Sequence, residues 1–221
     1  MIRSPKTKPI KLSSSSINLF LECPRCFYLQ IVKGIKRPQG PFPSLPSGMD
    51  KILKEHFDRF MEKDELPPEI KGKCEGCKLF FDKKLLEIWR NNRKGIEYTD
   101  PKTGILLHGA IDNLLVKDGK LIVLDYKTRG FPVKEDTHED YQSQMDLYNF
   151  LLNKNGYETE NYTYLLFYYP KEVLETGEVI FDTELVKMKI NVKDGEKAFN
   201  DAVALIKGEE PEEKCEWCEG K

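Results

Sequence analysis

The dipeptide Asp118-Gly119 lies between two runs rich in Leu, Ile and Val, and it constrains the fold more than any other feature of the sequence. Asp-Gly between apolar runs is a strong signal for the two-residue turn of a β-hairpin. This turn pairs Lys117 with Lys120 and, counted outwards, Asp112 with Asp125. Directly opposed carboxylates of an antiparallel pair lie on the same face and repel each other. A compensating cation is therefore expected, and a divalent metal ion is the natural candidate.

Lys127 follows Asp125 by two residues, so the period of a strand places it on the same face. Two carboxylates with a position open to water favour Mg²⁺ or Mn²⁺ over zinc. Such an ion polarises a phosphoryl oxygen and activates water, while the lysine stabilises negative charge or orients the water. The set predicts phosphodiester hydrolysis. The alternative is a solvated face, because one bulge in the hairpin would break the register.

Six cysteines form three pairs of identical C-x-x-C spacing: Cys23 with Cys26, Cys74 with Cys77, and Cys215 with Cys218. In a reducing compartment such pairs hold metals more often than they form structural disulfides, since two pairs can direct four thiolates to one site. Zinc and an iron–sulfur cluster both accept four thiolates, so the spacing leaves the choice open.

The order of predicted elements indicates an α/β fold with a central mixed β-sheet flanked by helices, in a single domain over residues 1–221. The serine run Ser13–Ser16 predicts a helix start, and Pro24 predicts a second start. A loop is expected over 37–48. Further helices are expected at about 49–61, 80–93, 137–153 and 196–207, and strands at 105–116, 120–126, 162–169 and 181–192.

Charge and hydropathy exclude several classes of protein. No apolar run reaches the roughly 18 residues of a membrane helix, and the N-terminus lacks the apolar core of a secretory signal, so a cytoplasmic protein without membrane contact is expected. The net charge of −2 excludes a uniformly basic nucleic-acid binder. Residues 1–37 nevertheless carry +7, which leaves −9 as the difference from −2 for the remainder. That basic segment suits a phosphate-bearing partner, or consists of solubilising lysines on a solvated face.

Four segments carry a family resemblance: Gly109-Ala-Ile-Asp112, Val123-Leu-Asp125-Tyr-Lys127-Thr, Gln144-x-x-x-Tyr148, and the opening Leu12-Ser-Ser-Ser-Ser-Ile-Asn-Leu-Phe-Leu-Glu-Cys23-Pro-Arg-Cys26. In order and spacing they resemble the RecB-type branch of the PD-(D/E)XK nuclease superfamily. That branch includes nuclease domains of helicase–nuclease repair complexes and the exonuclease associated with CRISPR adaptation. The resemblance implies a restriction-endonuclease-like core. It also implies an Mg²⁺- or Mn²⁺-dependent deoxyribonuclease, an exonuclease of DNA repair or CRISPR adaptation.

The resemblance assigns roles to single residues. Asp112 and Asp125 would be metal ligands and Lys127 the catalytic lysine, while His56 would contribute to the metal site. Gln144 and Tyr148, four apart on one helix face, would position the substrate or the lysine. The plain alternatives are a satisfied core histidine at His56 and simple helix packing at Tyr148.

Members of this family with a metal cluster place one cysteine before the nuclease core and three after it, whereas this chain has two and two. The total of four favours Cys23, Cys26, Cys215 and Cys218 as one site that joins the ends of the chain, filled by a 4Fe-4S cluster or by zinc. Cys74 and Cys77 are a spare, substitute or redox pair.

The expected partner is DNA, single-stranded or with free ends, and the resemblance adds a helicase or a CRISPR adaptation protein. A non-catalytic nucleic-acid-binding adaptor with the same fold and a redox protein are the competing functions.

Overall fold

A computed structural model describes residues 9–38 and 40–220. Three basic residues of the N-terminal segment, Arg3, Lys6 and Lys8, lie outside the described residues. No helix within these ranges is long and apolar enough to cross a membrane. The helices are α1 Ser14–Glu22, α2 Pro24–Ile31, α3 Ser44–Met61, α4 Lys83–Trp89, α5 Gln142–Lys154 and α6 Val192–Lys207, with a 3₁₀ turn at Thr137–Tyr141. The strands are β1 Lys11–Ser13, β2 Lys78–Leu79, β3 Ile96–Thr99, β4 Leu106–Gly109, β5 Asn113–Lys117, β6 Lys120–Thr128, β7 Tyr162–Val173 and β8 Val179–Lys189.

The strands form two mixed sheets flanked by helices, which confirms the α/β class. A five-stranded sheet has the order β2-β5-β6-β7-β8, and a three-stranded sheet has the order β1-β4-β3. Strands β6 and β7 are parallel, and α5 provides the crossover that parallel neighbours require. Helix α5 also packs against α1, α6, β3, β4 and β6, whereas α3 packs against β6.

The hairpin has the register predicted from the Asp-Gly turn. Strand β5 is antiparallel to β6, with Lys117 opposite Lys120 and Asn113 opposite Leu124. Asp118 adopts a φ of 49° and Gly119 a φ of 80°, as a two-residue turn with both central residues left-handed requires. Asp112 is the residue directly before β5, so the ladder ends one position short of the Asp112 and Asp125 pair.

The predicted helix starts at the N-terminus are also confirmed. The Ser13 side chain accepts a hydrogen bond from the Ser16 backbone N–H, and the Ser16 side chain accepts one in return from the N–H of Ser13. This reciprocal pair satisfies amides that the first turn leaves without partners. Pro24 is the first residue of α2, and Cys23 is both the C-cap of α1 and the N-cap of α2.

Several predicted boundaries were wrong; among them, the helices expected at 137–153 and 196–207 begin at Gln142 and Val192. The single strand expected over 105–116 is two strands in different sheets, because the chain leaves β4 at Gly109 and enters β5 at Asn113. Helix α3 begins at Ser44 rather than near Met49. Pro46 fits its first turn, where the backbone N–H groups have no helical partner in any case. Helix α4 is shorter than predicted and occupies only Lys83–Trp89.

Basic residues in the described part of the N-terminal segment are largely paired within the chain. The ion pairs are Lys11 with Glu97, Arg25 and Lys33 with Glu210, and Arg37 with Glu22. A residue engaged in this way offers less charge to an external phosphate. The structure therefore favours an internal role for these four cations over a continuous phosphate-binding track.

Candidate active site and cysteine cluster

Asp112 is fixed by contacts from three elements. Its Oδ2 accepts a hydrogen bond from the backbone N–H of Tyr126 in β6 at 3.0 Å. Its Oδ1 lies 3.0 Å from the Nζ of Lys54 in α3. Its backbone carbonyl accepts a hydrogen bond of 2.7 Å from Nε of Arg90, whose Nη1 also binds Asp58 of α3 at 2.7 Å. The carboxylate is therefore held at the open end of the β5–β6 hairpin.

Asp125 is the most deeply buried acid of this region, with 2% of its surface exposed. Its Oδ2 lies 2.7 Å from the Nζ of Lys127. Burial raises the pKa of Asp125, the adjacent Lys127 lowers it, and Asp112 raises it further. Burial alone would lower the pKa of Lys127, but the Asp125 carboxylate outweighs burial and raises it. The lysine is therefore an ammonium group at neutral pH.

A chain of hydrogen bonds leads from Lys127 to α5. Lys127 Nζ donates to Gln144 Oε1 at 2.9 Å, and Gln144 Nε2 donates to the Tyr148 hydroxyl at 2.8 Å. The Nζ also lies 4.3 Å from the centre of the Tyr141 ring, a cation–π contact. Burial raises the pKa of Tyr148, so its hydroxyl stays protonated. The structure thus brings together Asp112, Asp125, Lys127, Gln144 and Tyr148, all predicted from the sequence.

Gly109 makes room for this arrangement. A Cβ at this position would lie 2.7 Å from Cε1 of the Tyr148 ring and 2.9 Å from Cδ1 of Leu151. Both neighbours are side chains of α5, which packs directly on β4. The glycine of the Gly109-Ala-Ile-Asp112 segment therefore permits the close packing of Tyr148 and Leu151 of α5 against β4.

The structure does not bring His56 to the two aspartates. Its Nε2 lies 3.0 Å from Glu69 Oε1, and the same oxygen accepts a hydrogen bond from the Tyr168 hydroxyl at 3.1 Å. The next residue, Phe57, packs on Tyr126 with ring centres 4.8 Å apart. Because successive strand residues point to opposite faces, Tyr126 and the Phe57 ring packed on it lie on the face opposite Asp125. The core-histidine alternative describes His56 better.

Sequence reasoning missed two residues of α3 that do reach the site. Lys54 Nζ lies 2.7 Å from Asp50 Oδ1 as well as 3.0 Å from Asp112. Burial and the nearby Asp112 raise the pKa of Asp50. Burial lowers the pKa of Lys54, but both carboxylates raise it and prevail. An acid and a base four apart look like an ordinary solvated helix pair, so the only signal was their position on one helix face.

A cleft opens beside Tyr148. It is lined by Ser13, Ser14, Ser15, Asn92, His108, Gly109, Ala110 and Tyr148. The cleft connects the first turn of α1 with the buried network that begins at Tyr148. Of the network residues, Tyr148 is the one that lines this cleft.

The four cysteines near the chain ends form one cluster, and their sulfur atoms all lie within 4.8 Å of one another. The Sγ distances are 3.9 Å for Cys23 to Cys218, 3.5 Å for Cys26 to Cys215, and 3.8 Å for Cys215 to Cys218. Backbone N–H groups of Cys26 and Cys215 point to the sulfurs of Cys23 and Cys218 at 3.4 Å and 3.3 Å. Nη2 of Arg37 lies 3.5 Å from the Cys215 sulfur. These donors suit a site that carries the negative charge of several thiolates.

Cys74 and Cys77 are buried free thiols outside that cluster. Burial raises the pKa of Cys74 to about 11, and the neighbouring Cys77 adds to the shift. A thiol with so high a pKa is a poor nucleophile at neutral pH. The position of the pair favours a packed, unreactive role over a redox role.

The comparisons with known proteins agree with this geometry. No curated protein matches the chain. A family model described as the PD-(D/E)XK nuclease superfamily matches residues 11–221, from β1 through the last cysteine pair. The match covers both the aspartate and lysine network and the cysteine cluster, and the chain belongs to the PD-(D/E)XK nuclease superfamily.

Proposed function

We propose that this protein is a metal-dependent deoxyribonuclease that hydrolyses DNA phosphodiester bonds with Asp112, Asp125 and Lys127. The observation that carries the proposal is the network from Asp125 through Lys127 and Gln144 to Tyr148, with Asp112 close enough for its charge to act on Asp125 and Lys127. A nucleic-acid hydrolase is also what the superfamily suggests. The network gives this chain the groups that such a reaction needs.

The donor set fits a hard divalent cation such as Mg²⁺ or Mn²⁺. The carboxylates of Asp112 and Asp125 meet at the end of the β5–β6 hairpin, with Asp50 close to Asp112, and carboxylate oxygens are the ligands these ions prefer. Three acids face only two ammonium groups, Lys54 and Lys127, so the site has an excess of negative charge. When bound, the ion would supply Lewis acidity towards a phosphoryl oxygen and lower the pKa of water. His56 is left out of this ligand set because it pairs with Glu69, which in turn accepts a hydrogen bond from the Tyr168 hydroxyl.

The protein's own side chains have separate tasks in this proposal. Lys127, protonated and fixed by Asp125, Gln144 and the Tyr141 ring, stabilises the negative charge that develops on the phosphoryl group. Gln144 accepts from Lys127 and donates to Tyr148, so it sets the direction of the ammonium group. Tyr148 joins the network to the cleft and positions the substrate there.

The resemblance to RecB-type nucleases extends the proposal to the biological role. We infer an exonuclease that acts on single-stranded DNA or DNA with free ends, in repair or CRISPR adaptation. A helicase or a CRISPR adaptation protein is the corresponding partner, and the cytoplasm the corresponding compartment. The cleft beside Tyr148 supports a strand end as substrate because it leads directly to the network.

For the cysteine cluster we favour one zinc ion over the 4Fe-4S cluster that the resemblance first implied. Four thiolates about 2.3 Å from one zinc ion lie roughly 3.8 Å apart in a tetrahedron. The sulfur distances of 3.5, 3.8 and 3.9 Å agree with that arrangement. A four-iron cluster binds each thiolate at a separate iron and so keeps the four sulfurs further apart. The cluster is therefore the right size for a single ion.

Cleavage assays with matched variants test the nuclease. End-labelled single- and double-stranded DNA is incubated with Mg²⁺, with Mn²⁺ or with chelator. Asp112→Asn and Lys127→Met should abolish metal-dependent cleavage. Asp118→Asn in the turn and Lys120→Met in β6 are the matched controls and should cut normally, since asparagine tolerates the positive φ of position 118. Cleavage by Asp112→Asn at the wild-type rate would place the activity elsewhere or in a contaminant.

DNA binding and cleavage by the wild-type protein distinguish the nuclease from a non-catalytic adaptor. An adaptor would bind DNA in a salt-dependent way and would show no metal-dependent cutting by the wild-type protein. The carboxylates of Asp112 and Asp125 argue against it, because two carboxylates facing a phosphate weaken binding unless a cation is present.

Metal analysis and colour test the identity of the ion in the cysteine cluster. Anaerobically purified protein should be colourless and contain one zinc per chain. The variant Cys215→Ser with Cys218→Ser should lose that zinc, whereas Cys74→Ser with Cys77→Ser should keep it. A brown protein with a broad visible absorption band would show an iron–sulfur cluster instead.

A further inference from the structure

Lys54 is buried in a way that an ordinary helix pair does not explain. The Lys54 side chain is 17% exposed, and the Asp112 side chain that it contacts is 16% exposed. An ion pair with Asp50 four residues earlier on α3 could form equally well in solvent. The second contact, to Asp112 at 3.0 Å, crosses to another element and draws the ammonium group into the site. Burial of a lysine ammonium group costs free energy unless opposite charges compensate for its lost hydration.

The contacts of Asp112 show what Lys54 does there. One carboxylate oxygen, Oδ2, already accepts the backbone N–H of Tyr126. The other, Oδ1, is the oxygen that faces Lys54. Oδ1 is the oxygen without a backbone partner, and a divalent ion bound there would meet the ammonium group as a like charge in direct contact with the same atom. Lys54 and the ion therefore compete for one place.

We propose that Lys54 is a positioning residue of the metal site, whose ammonium group holds Asp50 and Asp112 together in the metal-free enzyme and gives way to the divalent ion on binding. The inference rests on the proposed function, since it presumes a metal ion at Asp112. It explains how Asp50 and Asp112 are kept close together before an ion arrives, since without Lys54 the two carboxylates would repel each other. Lys127 cannot take this task, because Asp125 and Gln144 already hold it.

The proposal predicts an effect in a direction that damage to the fold would not produce. Removing a competing unit charge from contact with a ligand should make the site bind a divalent ion more tightly, by about tenfold or more. A misfolded or loosened site would bind more weakly. Lys54→Arg keeps the charge and should bind with nearly the affinity of the wild type. Lys51→Met, an exposed lysine on the same helix, is the matched control and should also behave as wild type.

Binding of Mn²⁺ to the full-length protein, followed by electron paramagnetic resonance of the free ion, is the test. The wild type should bind Mn²⁺ at a site that Asp112→Asn removes, and Lys54→Met should bind at least about tenfold more tightly. Failure of the wild type to bind Mn²⁺ in an Asp112-dependent way would contradict the proposed function itself. Normal binding by the wild type with equal or weaker binding by Lys54→Met would leave that function intact and overturn the role of Lys54.

Discussion

If the cysteine cluster holds the single zinc ion proposed above, free zinc should control the stability of this fold, because the ion would join segments that are far apart in sequence. The cluster links Cys23 to Cys218, 195 residues later. An unfolded chain does not hold four thiolates together, so zinc binds the folded state far more tightly. Binding of one ion to the folded state alone adds about 1.4 kcal/mol of unfolding free energy for each tenfold rise in free zinc. This slope follows from the sulfur distances, which leave space for a single ion.

Urea denaturation in zinc buffers measures the slope. Two free zinc concentrations that differ a hundredfold, both above the dissociation constant, should change the unfolding free energy by about 2.7 kcal/mol. With an m-value of about 2–3 kcal/mol per molar urea, the midpoint should rise by about 1 M. Far-UV circular dichroism after full equilibration gives the midpoint at each concentration.

Two double variants serve as controls for this prediction. Cys215→Ser with Cys218→Ser should unfold at lower urea, with a midpoint that does not respond to zinc. Cys74→Ser with Cys77→Ser changes two buried thiols outside the cluster and should keep the wild-type response. A wild-type midpoint that is independent of zinc would refute the single-ion interpretation. An unchanged response in the Cys215 and Cys218 variant would place the zinc elsewhere.

Three further changes test the packing and the network around the site. Gly109→Ala places a methyl group 2.7 Å from the Tyr148 ring and should lower cleavage more than about tenfold while costing about 1–3 kcal/mol, measured by activity and urea unfolding. Gln144→Leu removes the acceptor of Lys127 and should reduce the cleavage rate while DNA binding is retained, measured by single-turnover kinetics and by anisotropy. Below pH 9, Cys74 should react with iodoacetamide about a hundredfold more slowly than a thiol of pKa 9.0, since thiolate is the reactive form. The rate should increase as the pH rises towards the Cys74 pKa of about 11. Rapid labelling of the folded protein at pH 7 would contradict this prediction.

The central hairpin could be predicted because its register depends on local chemistry. An Asp-Gly turn fixes which residues are opposite, and the pairing of Lys117 with Lys120 followed directly. Asp112 and Asp125 were found in this way although the ladder ends at Asn113. The serine cap of α1 and the start of α2 at Pro24 were predictable for the same reason, since each signal lies within a few residues of its effect.

The parts that could not be predicted depend on contacts between distant segments. The short strands β1 and β2 exist only through pairing with β4 and β5, and three or two residues carry no periodic pattern. Lys54 could not be recognised as a site residue from the sequence, because it reaches the site through a contact with Asp112, which lies 58 positions later outside α3. His56 misled for the converse reason: its resemblance to a ligand position took no account of Glu69, which engages it.

The cysteine cluster and the active site are connected through α1. The helix begins at Ser14, which lines the same cleft as Tyr148, and ends at Glu22, directly before Cys23. Nine helical residues span roughly 13 Å, so the helix is a short rigid link between the ion site and the network. The C-terminal cysteines hold the far end of α1 by way of Cys23, and β1 fixes its near end through pairing with β4. Loss of a bound ion would loosen one end of this helix, and the position of Ser14 beside Tyr148 would then depend on β1 and on the packing of α1 against α5 and α6.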